Sequence, residues 1–207
     1  MTAIGSILAR ISLVFMIVVY DTAHSRRQLY PLSLTRPIAD LLVGTTTLAN
    51  WWAMLSQLPT ATLSEKHLTA ALPAAAIYHC IDATVLPNAE LCAAIVQMKP
   101  GEVLEDASGI IAFCTTQAPV FGQMPVWSSG KALEVTAKRF EHASTLVKLN
   151  PTFIQQTLSV SNLPLANESI RQSNTVIGEA LHIAATASMK ACIINTTDGP
   201  VIIDEHA

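Results

Sequence analysis

Charge is scarce in this chain. Asp, Glu, Lys and Arg make up 13% of it, and 12 basic against 15 acidic residues leave a net charge of −3. Binding to nucleic acid relies on clustered cations that neutralise phosphates, and the Lys and Arg here are scattered, so no nucleic-acid partner is expected. Metal and redox signatures are missing too. The 4 cysteines, Cys80, Cys92, Cys114 and Cys192, make no CxxC pair and sit among apolar neighbours. They read as free thiols of a reducing, cytoplasmic compartment rather than zinc ligands or a redox pair. The 6 histidines show neither HxH nor HExxH spacing, and Ser128-Ser129-Gly130 lacks the GxSxG context of a nucleophile elbow. Zincin and triad-hydrolase chemistry therefore have no footing.

A long uninterrupted apolar run is also absent. Residues 4–20 are nearly all apolar, but Arg10 breaks them, and they carry neither a basic leader nor a small-residue cleavage site before Asp21. They are short for a membrane span and badly formed for a secretory signal. Residues 1–15 are read as an N-terminal extension ahead of a first strand at Met16–Asp21, with a membrane anchor as the alternative.

What is present is apolar: 51% of 207 residues. That suffices for one packed domain of about 150 residues with a smaller appendage. Pro31 and Pro37 forbid a continuous helix between them. From Ile38 the apolar spacing follows the helical period through Leu41, Leu42, Leu48 and Trp52, predicting a helix to about Ser56 with Trp51 and Trp52 in the core. Ser64 is a candidate N-cap for a short helix through Glu65-Lys66-His67. Strands are expected at Ala76–Ile81 and Gly109–Cys114, a helix capped by Asn88 up to Met98, and another helix over Lys131–Leu149. Strands alternating with helices predict an α/β fold, a mostly parallel sheet with helices on both faces.

After Asn174 the pattern changes. Val176-Ile177-Gly178, Ile183-Ala184, Cys192-Ile193-Ile194 and Val201-Ile202-Ile203 recur at intervals near six or a multiple of it. Such a period predicts the first coils of a parallel β-helix, with a β-meander as the alternative. So few coils without a polar cap lead us to expect a longer natural protein.

Several blocks together resemble a known family. Met16–Asp21, the run Leu29-Tyr30-Pro31-Leu32-Ser33-Leu34-Thr35-Arg36-Pro37-Ile38-Ala39-Asp40, Gly44, Val85-Leu86-Pro87-Asn88 and Ser173–Gly178 are similar in order and spacing to bacterial sugar nucleotidyltransferases common in Bacteroidetes-type genomes. These in turn resemble the bifunctional enzyme that acetylates glucosamine 1-phosphate and then forms UDP-N-acetylglucosamine. The resemblance implies a nucleotidyltransferase-like, Rossmann-like domain at 16–165, then a linker and the start of a left-handed β-helix at 166–207. It implies transfer of a nucleotidyl group from UTP or dTTP to a sugar 1-phosphate, with release of pyrophosphate and with Mg2+ as cofactor. A homotrimer through the β-helix is expected of the full-length protein. Acetyltransfer is not expected, because its grooves would lie in coils beyond Ala207.

The site residues follow from the same blocks. The stretch Asp21–Gln28 stands where the wider superfamily has a glycine-rich phosphate loop and contains no glycine. Arg26 matches the family's loop arginine, Arg27 is its neighbour, and either could grip phosphate. Arg36, just before a helix start, is the first choice for an anion ligand, with Asp40 as a substrate contact or as an ion-pair partner four residues on. Thr84 stands at the superfamily's metal-aspartate position, so Asp82, two residues earlier, becomes the candidate magnesium ligand or else a turn former. Asn88 is a further candidate for substrate binding, and Glu141 a weak second carboxylate.

Overall fold

The computed structural model describes residues 15–123, 137–160, 164–205 and 207. The chain divides into two compact units, Met1–Leu149 and Asn150–Ala207.

The first unit is built on strand β1, Phe15–Tyr20. Its run Met16-Ile17-Val18-Val19 is apolar at every position because both of its faces are covered, and Ile17, Val18 and Val19 are wholly buried. Strand β4, Thr60–Leu63, pairs parallel to one side of β1 and β5, Ile77–Asp82, parallel to the other. Beyond β5 the sheet turns antiparallel, through β7, Gly109–Thr115, to the edge strand β6, Val103–Asp106. The order β4-β1-β5-β7-β6 makes a parallel-dominated mixed sheet, as expected, in which β7 alone runs against the other four strands. The β6–β7 hairpin explains the reversed strand. Its turn is tight: Asp106 Oδ1 accepts from Ser108 N at 2.9 Å, and Gly109 takes φ +120°. A connection that short can only return antiparallel.

Two helices behave as their capping residues dictate. Helix α2, Leu48–Ser56, starts where Thr47 accepts from Asn50 N, buries Trp51 and Trp52, and packs on β1 and β4. Helix α3, Ala89–Val96, starts at Asn88, whose Oδ1 accepts from Leu91 N at 2.8 Å. The shorter α1, Ala23–Gln28, has the capping box of Thr22 and Ser25. On the sheet face of Val18, Tyr20, Tyr78, Cys80 and Phe113, part of the cover comes from Leu72 and Ala75, which lie outside any helix.

Three expected helices are corrected. Between Ile38 and Ser56 the chain makes a 3-10 turn over Ile38–Asp40 and a hairpin of β2, Leu42–Val43, with β3, Thr46–Thr47, before α2 begins. Gly44 takes φ +67° at its two-residue turn, and the threonines that follow suit strand better than helix. Ser64 caps nothing: its hydroxyl points into the protein, and Glu65–His67 stay non-helical. Of the helix expected over 131–149, residues 131–136 lie outside the described residues. Residues 137–140 run extended beside Thr84–Leu86, with Leu86 N donating to Lys138 O at 2.8 Å and Phe140 N to Thr84 O at 3.1 Å. Helix α4 begins only at Ala143 and continues to Val160.

The second unit holds α5, Glu168–Ser173, capped by Asn167, and four three-residue strands. These are β8, Thr175–Ile177; β9, Leu181–Ile183; β10, Ile193–Asn195; and β11, Val201–Ile203. They pair parallel, β8 with β10 and β9 with β11, so Thr175 lies against Ile193 and Leu181 against Val201. A meander would pair consecutive strands antiparallel. Inside, Leu181, Ile183 and Ala166 are buried against Val176, Ile194, Val201 and Ile203.

Candidate functional site

Strand β1 has β4 on one side and β5 on the other, so the chain reverses its winding there. Ligands of open α/β sheets bind beyond the carboxyl ends of strands at such a reversal. A cavity of about 230 Å³ lies at that end of β1. Tyr20, Ala23, Leu63, Phe113, Val120 and Phe121 are among its walls, which are largely apolar and rich in rings. The rings of Tyr20 and Phe113 meet at 5.3 Å in a tilted pair.

Asp21, the residue after β1, also lines the cavity, although its side chain is fully buried. Its Oδ2 accepts from Ser64 Oγ at 2.6 Å and Arg26 Nη1 at 3.0 Å, and Ile38 N donates to both oxygens at 3.2 and 3.3 Å. Burial raises the carboxyl pKa, while the Ser64 and Arg26 bonds, the Ile38 amide and the Arg26 charge pull it down. Arg26 is spent on this same network. Its Nη1 also donates to Ser64 Oγ at 3.0 Å, its Nη2 to Ser33 O at 2.6 Å and its Nε to Glu65 Oε1 at 3.1 Å. The guanidinium considered as a phosphate grip is turned inward, where it ties the chain after β1 to the segments around Ser33 and Ser64.

The other candidates are spread out. Arg27, Arg36, Asp40 and Asn88 are all exposed. Arg36 forms no ion pair with Asp40; its charge lowers the Asp40 carboxyl pKa, against a larger upward push from burial. Asn88 uses its side-chain oxygen on α3. Glu141 is exposed and precedes α4 rather than lying on it. None of Arg26, Arg27, Arg36, Asp40, Asp82 and Asn88 lines the cavity.

Asp82 ends β5 directly beside Tyr20 in the parallel register. Its Oδ1 accepts from Thr84 N at 2.8 Å and Thr84 Oγ1 at 2.6 Å, the geometry of an Asx turn. Burial raises its pKa, opposed by the Thr84 bonds and by the charge of Arg139. Arg139 comes from the extended segment beside Thr84–Leu86. Its Nη2 donates to Gly109 O at 3.1 Å and Ile110 O at 3.0 Å, and it pairs with Asp106 Oδ1 at 3.5 Å.

Among the described residues no three His, Cys, Asp or Glu side chains gather in a metal-binding group. Magnesium can be held through one carboxylate when substrate phosphates supply other ligands. Here, however, Oδ1 of that carboxylate already takes two hydrogen bonds and a guanidinium's charge acts on it. That donor set fits a protein-held magnesium poorly.

Sequence reasoning passed over Tyr20, Asp21, Ser64 and Arg139. Asp21 was legible as the polar residue that ends an apolar strand. Arg139 was hidden, because its segment was read as helix.

The α/β sheet, the winding reversal at β1 and the ring-lined cavity define a ligand-binding α/β domain. Residues 17–160 match the family model described as sugar nucleotidyl transferase, and the chain belongs to that family. No curated protein matches the chain. No helix among the described residues is long and apolar enough to cross a membrane.

Proposed function

We propose that the chain transfers a nucleotidyl group from UTP or dTTP to a sugar 1-phosphate, such as N-acetylglucosamine 1-phosphate, releasing pyrophosphate. The observation that carries this reading is the cavity at the carboxyl end of β1, inside the stretch that matches the family. Its ring-rich walls suit a flat or sugar ring, and the polyanionic part of the substrate is left to exposed cations, of which Arg36 and Arg27 are the candidates. Catalysis in such a site is positioning and charge balance. In this reading magnesium enters with the triphosphate rather than being held by the chain. The test is pyrophosphate release from UTP or dTTP with N-acetylglucosamine 1-phosphate or glucose 1-phosphate. A folded protein that releases none sinks the proposal.

In the second unit, parallel pairing closes one circuit in eighteen residues from Thr175 to Ile193 and in twenty from Leu181 to Val201. Ser188 N donates to Ala207 O at 3.0 Å, a third contact between successive circuits. These contacts support the start of a β-helix, the element through which we expect a homotrimer to assemble; a cytoplasmic location is part of the same proposal.

One observation favours a second reading, a binding or β-helix assembly module without catalysis. The loop after β1 has no glycine, and its Arg26 is committed inward. Calorimetry with UTP and glucose 1-phosphate, alongside the pyrophosphate assay, separates the two. Binding without turnover selects the module.

A further inference from the structure

Tyr20, beside the cavity, carries a hydroxyl that is buried and has no hydrogen-bond partner. Buried polar atoms are nearly always paired, and an unpaired one costs stability. Arg139 adds a second orphan close by: its Nε is buried and unpartnered, although Nη2 is anchored at both Gly109 O and Ile110 O. Asp82 adds an acceptor, since Thr84 occupies Oδ1 and no described residue bonds Oδ2. The three belong together. Tyr20 and Asp82 are register partners on adjacent parallel strands, so their side chains leave the same face of the sheet. The charge of Arg139 acts on both of them.

We propose that Tyr20, Asp82 and Arg139 form a hydroxyl-reading site, in which the Tyr20 phenol, Asp82 Oδ2 and Arg139 Nε hydrogen-bond a hydroxyl of a sugar ring. The chemistry of the free atoms selects this ligand. Asp82 Oδ2 accepts, Arg139 Nε donates, and the phenol does either. A phosphate would meet the carboxylate, an ammonium would meet the guanidinium, and an apolar group would leave all three atoms unpaired. A hydroxyl both donates and accepts and carries no charge. Thr84 holds Asp82 through Oδ1, and Gly109 and Ile110 hold Arg139 through Nη2, so the orientation of two of the three groups is already fixed. This inference rests on the nucleotidyltransferase reading, which supplies two sources for the hydroxyl, the ribose of the nucleotide and the ring of the sugar 1-phosphate.

Calorimetry on the full chain, with Tyr20→Phe beside the wild type, tests it with UTP, glucose 1-phosphate and inorganic phosphate as separate ligands. The phenol has no partner to lose, so Tyr20→Phe should melt at or above the wild-type temperature. It should nevertheless weaken either UTP or glucose 1-phosphate by about tenfold, the usual effect of one hydrogen bond, and leave inorganic phosphate unchanged. Asp82→Asn should weaken the same ligand, and whichever ligand is weakened identifies the source. If Tyr20→Phe binds both like the wild type, the three atoms only enclose a water and the inference is overturned. A folded wild type that binds neither ligand overturns it as well. Failure of the transfer reading shows separately, as ligand binding without pyrophosphate release.

Discussion

Arg26 and Asp21 form an ion pair at 3.0 Å with side chains only 2% and 0% exposed, one turn of helix beyond the end of β1. Every nitrogen of the guanidinium is engaged, and its bonds reach three pieces of chain, at Asp21, Ser33 and Ser64–Glu65. In the glycine-free loop after β1 these bonds make a cross-linked polar plug. The plug fixes Ile38 N, and with it the direction in which the chain leaves Arg36-Pro37.

Breaking the plug should therefore cost stability before it costs binding. Arg26→Ala leaves Asp21 buried and uncompensated, and is expected to lower the unfolding free energy by about 3–5 kcal/mol. Urea unfolding reads this directly. A loss under about 1 kcal/mol, the range of an exposed pair, would mean that Arg26 is free to serve a ligand.

His79 sits wholly buried in β5, stacked on Phe15 with ring centroids 6.0 Å apart. The Ile95 backbone faces the ring and pulls its pKa up, but neither ring nitrogen makes a hydrogen bond of good geometry, and burial pulls the pKa down more strongly. With the folded pKa below the unfolded one, the unfolded chain binds more protons between them. The contribution of His79 is fully present above the unfolded value, about 6.5, and is lost as pH falls below it towards the folded value. Melting temperatures from about pH 7.5 down to about pH 5 should fall with acid, and His79→Leu should flatten that slope. An unchanged slope would show that another group sets it.

Much of the frame was legible in the residues. β1, β5, β7 and α3 lie where apolar runs and the Asn88 cap put them, because each is determined locally. The misreading between Ile38 and Ser56 has a local cause. The helical spacing from Ile38 to Trp52 survives the hairpin at Gly44, since side chains that face one core can keep that spacing without the backbone being helical. The site was less legible still. Arg26 and Arg36 look alike in sequence, and only the distant partners Ser33, Ser64 and Glu65 bury one and leave the other exposed.

Arg36 should behave as the opposite of Arg26. It is exposed, it precedes Pro37, and its charge is not spent on an ion pair with Asp40. Arg36→Ala is expected to leave the melting temperature within a degree or so, as surface substitutions do, and to weaken UTP by about tenfold, as loss of one charge-assisted contact does. Calorimetry at two salt concentrations checks it. Unchanged UTP affinity at low salt would remove Arg36 from the anion site.

Gly178 tests how closely the circuits of the second unit are stacked. It takes φ +89°, and a Cβ there would collide with Thr196 Oγ1 on the next circuit. That hydroxyl is already committed, donating to Ile177 O at 3.1 Å and accepting from Ala180 N at 3.3 Å, so it cannot swing away without breaking the rung. Gly101 and Gly122 also have positive φ, +90° and +78°, but open space where a Cβ would point. Gly101→Ala and Gly122→Ala carry only the backbone penalty, about 1 kcal/mol or somewhat more. Gly178→Ala adds the clash, and is expected to cost about 2–4 kcal/mol in total. Hydrogen exchange of the Ala180 and Thr196 amides should show that excess as local opening of the stacked circuits. Equal losses for all three glycines would mean that the circuits are stacked more loosely than Thr196 implies.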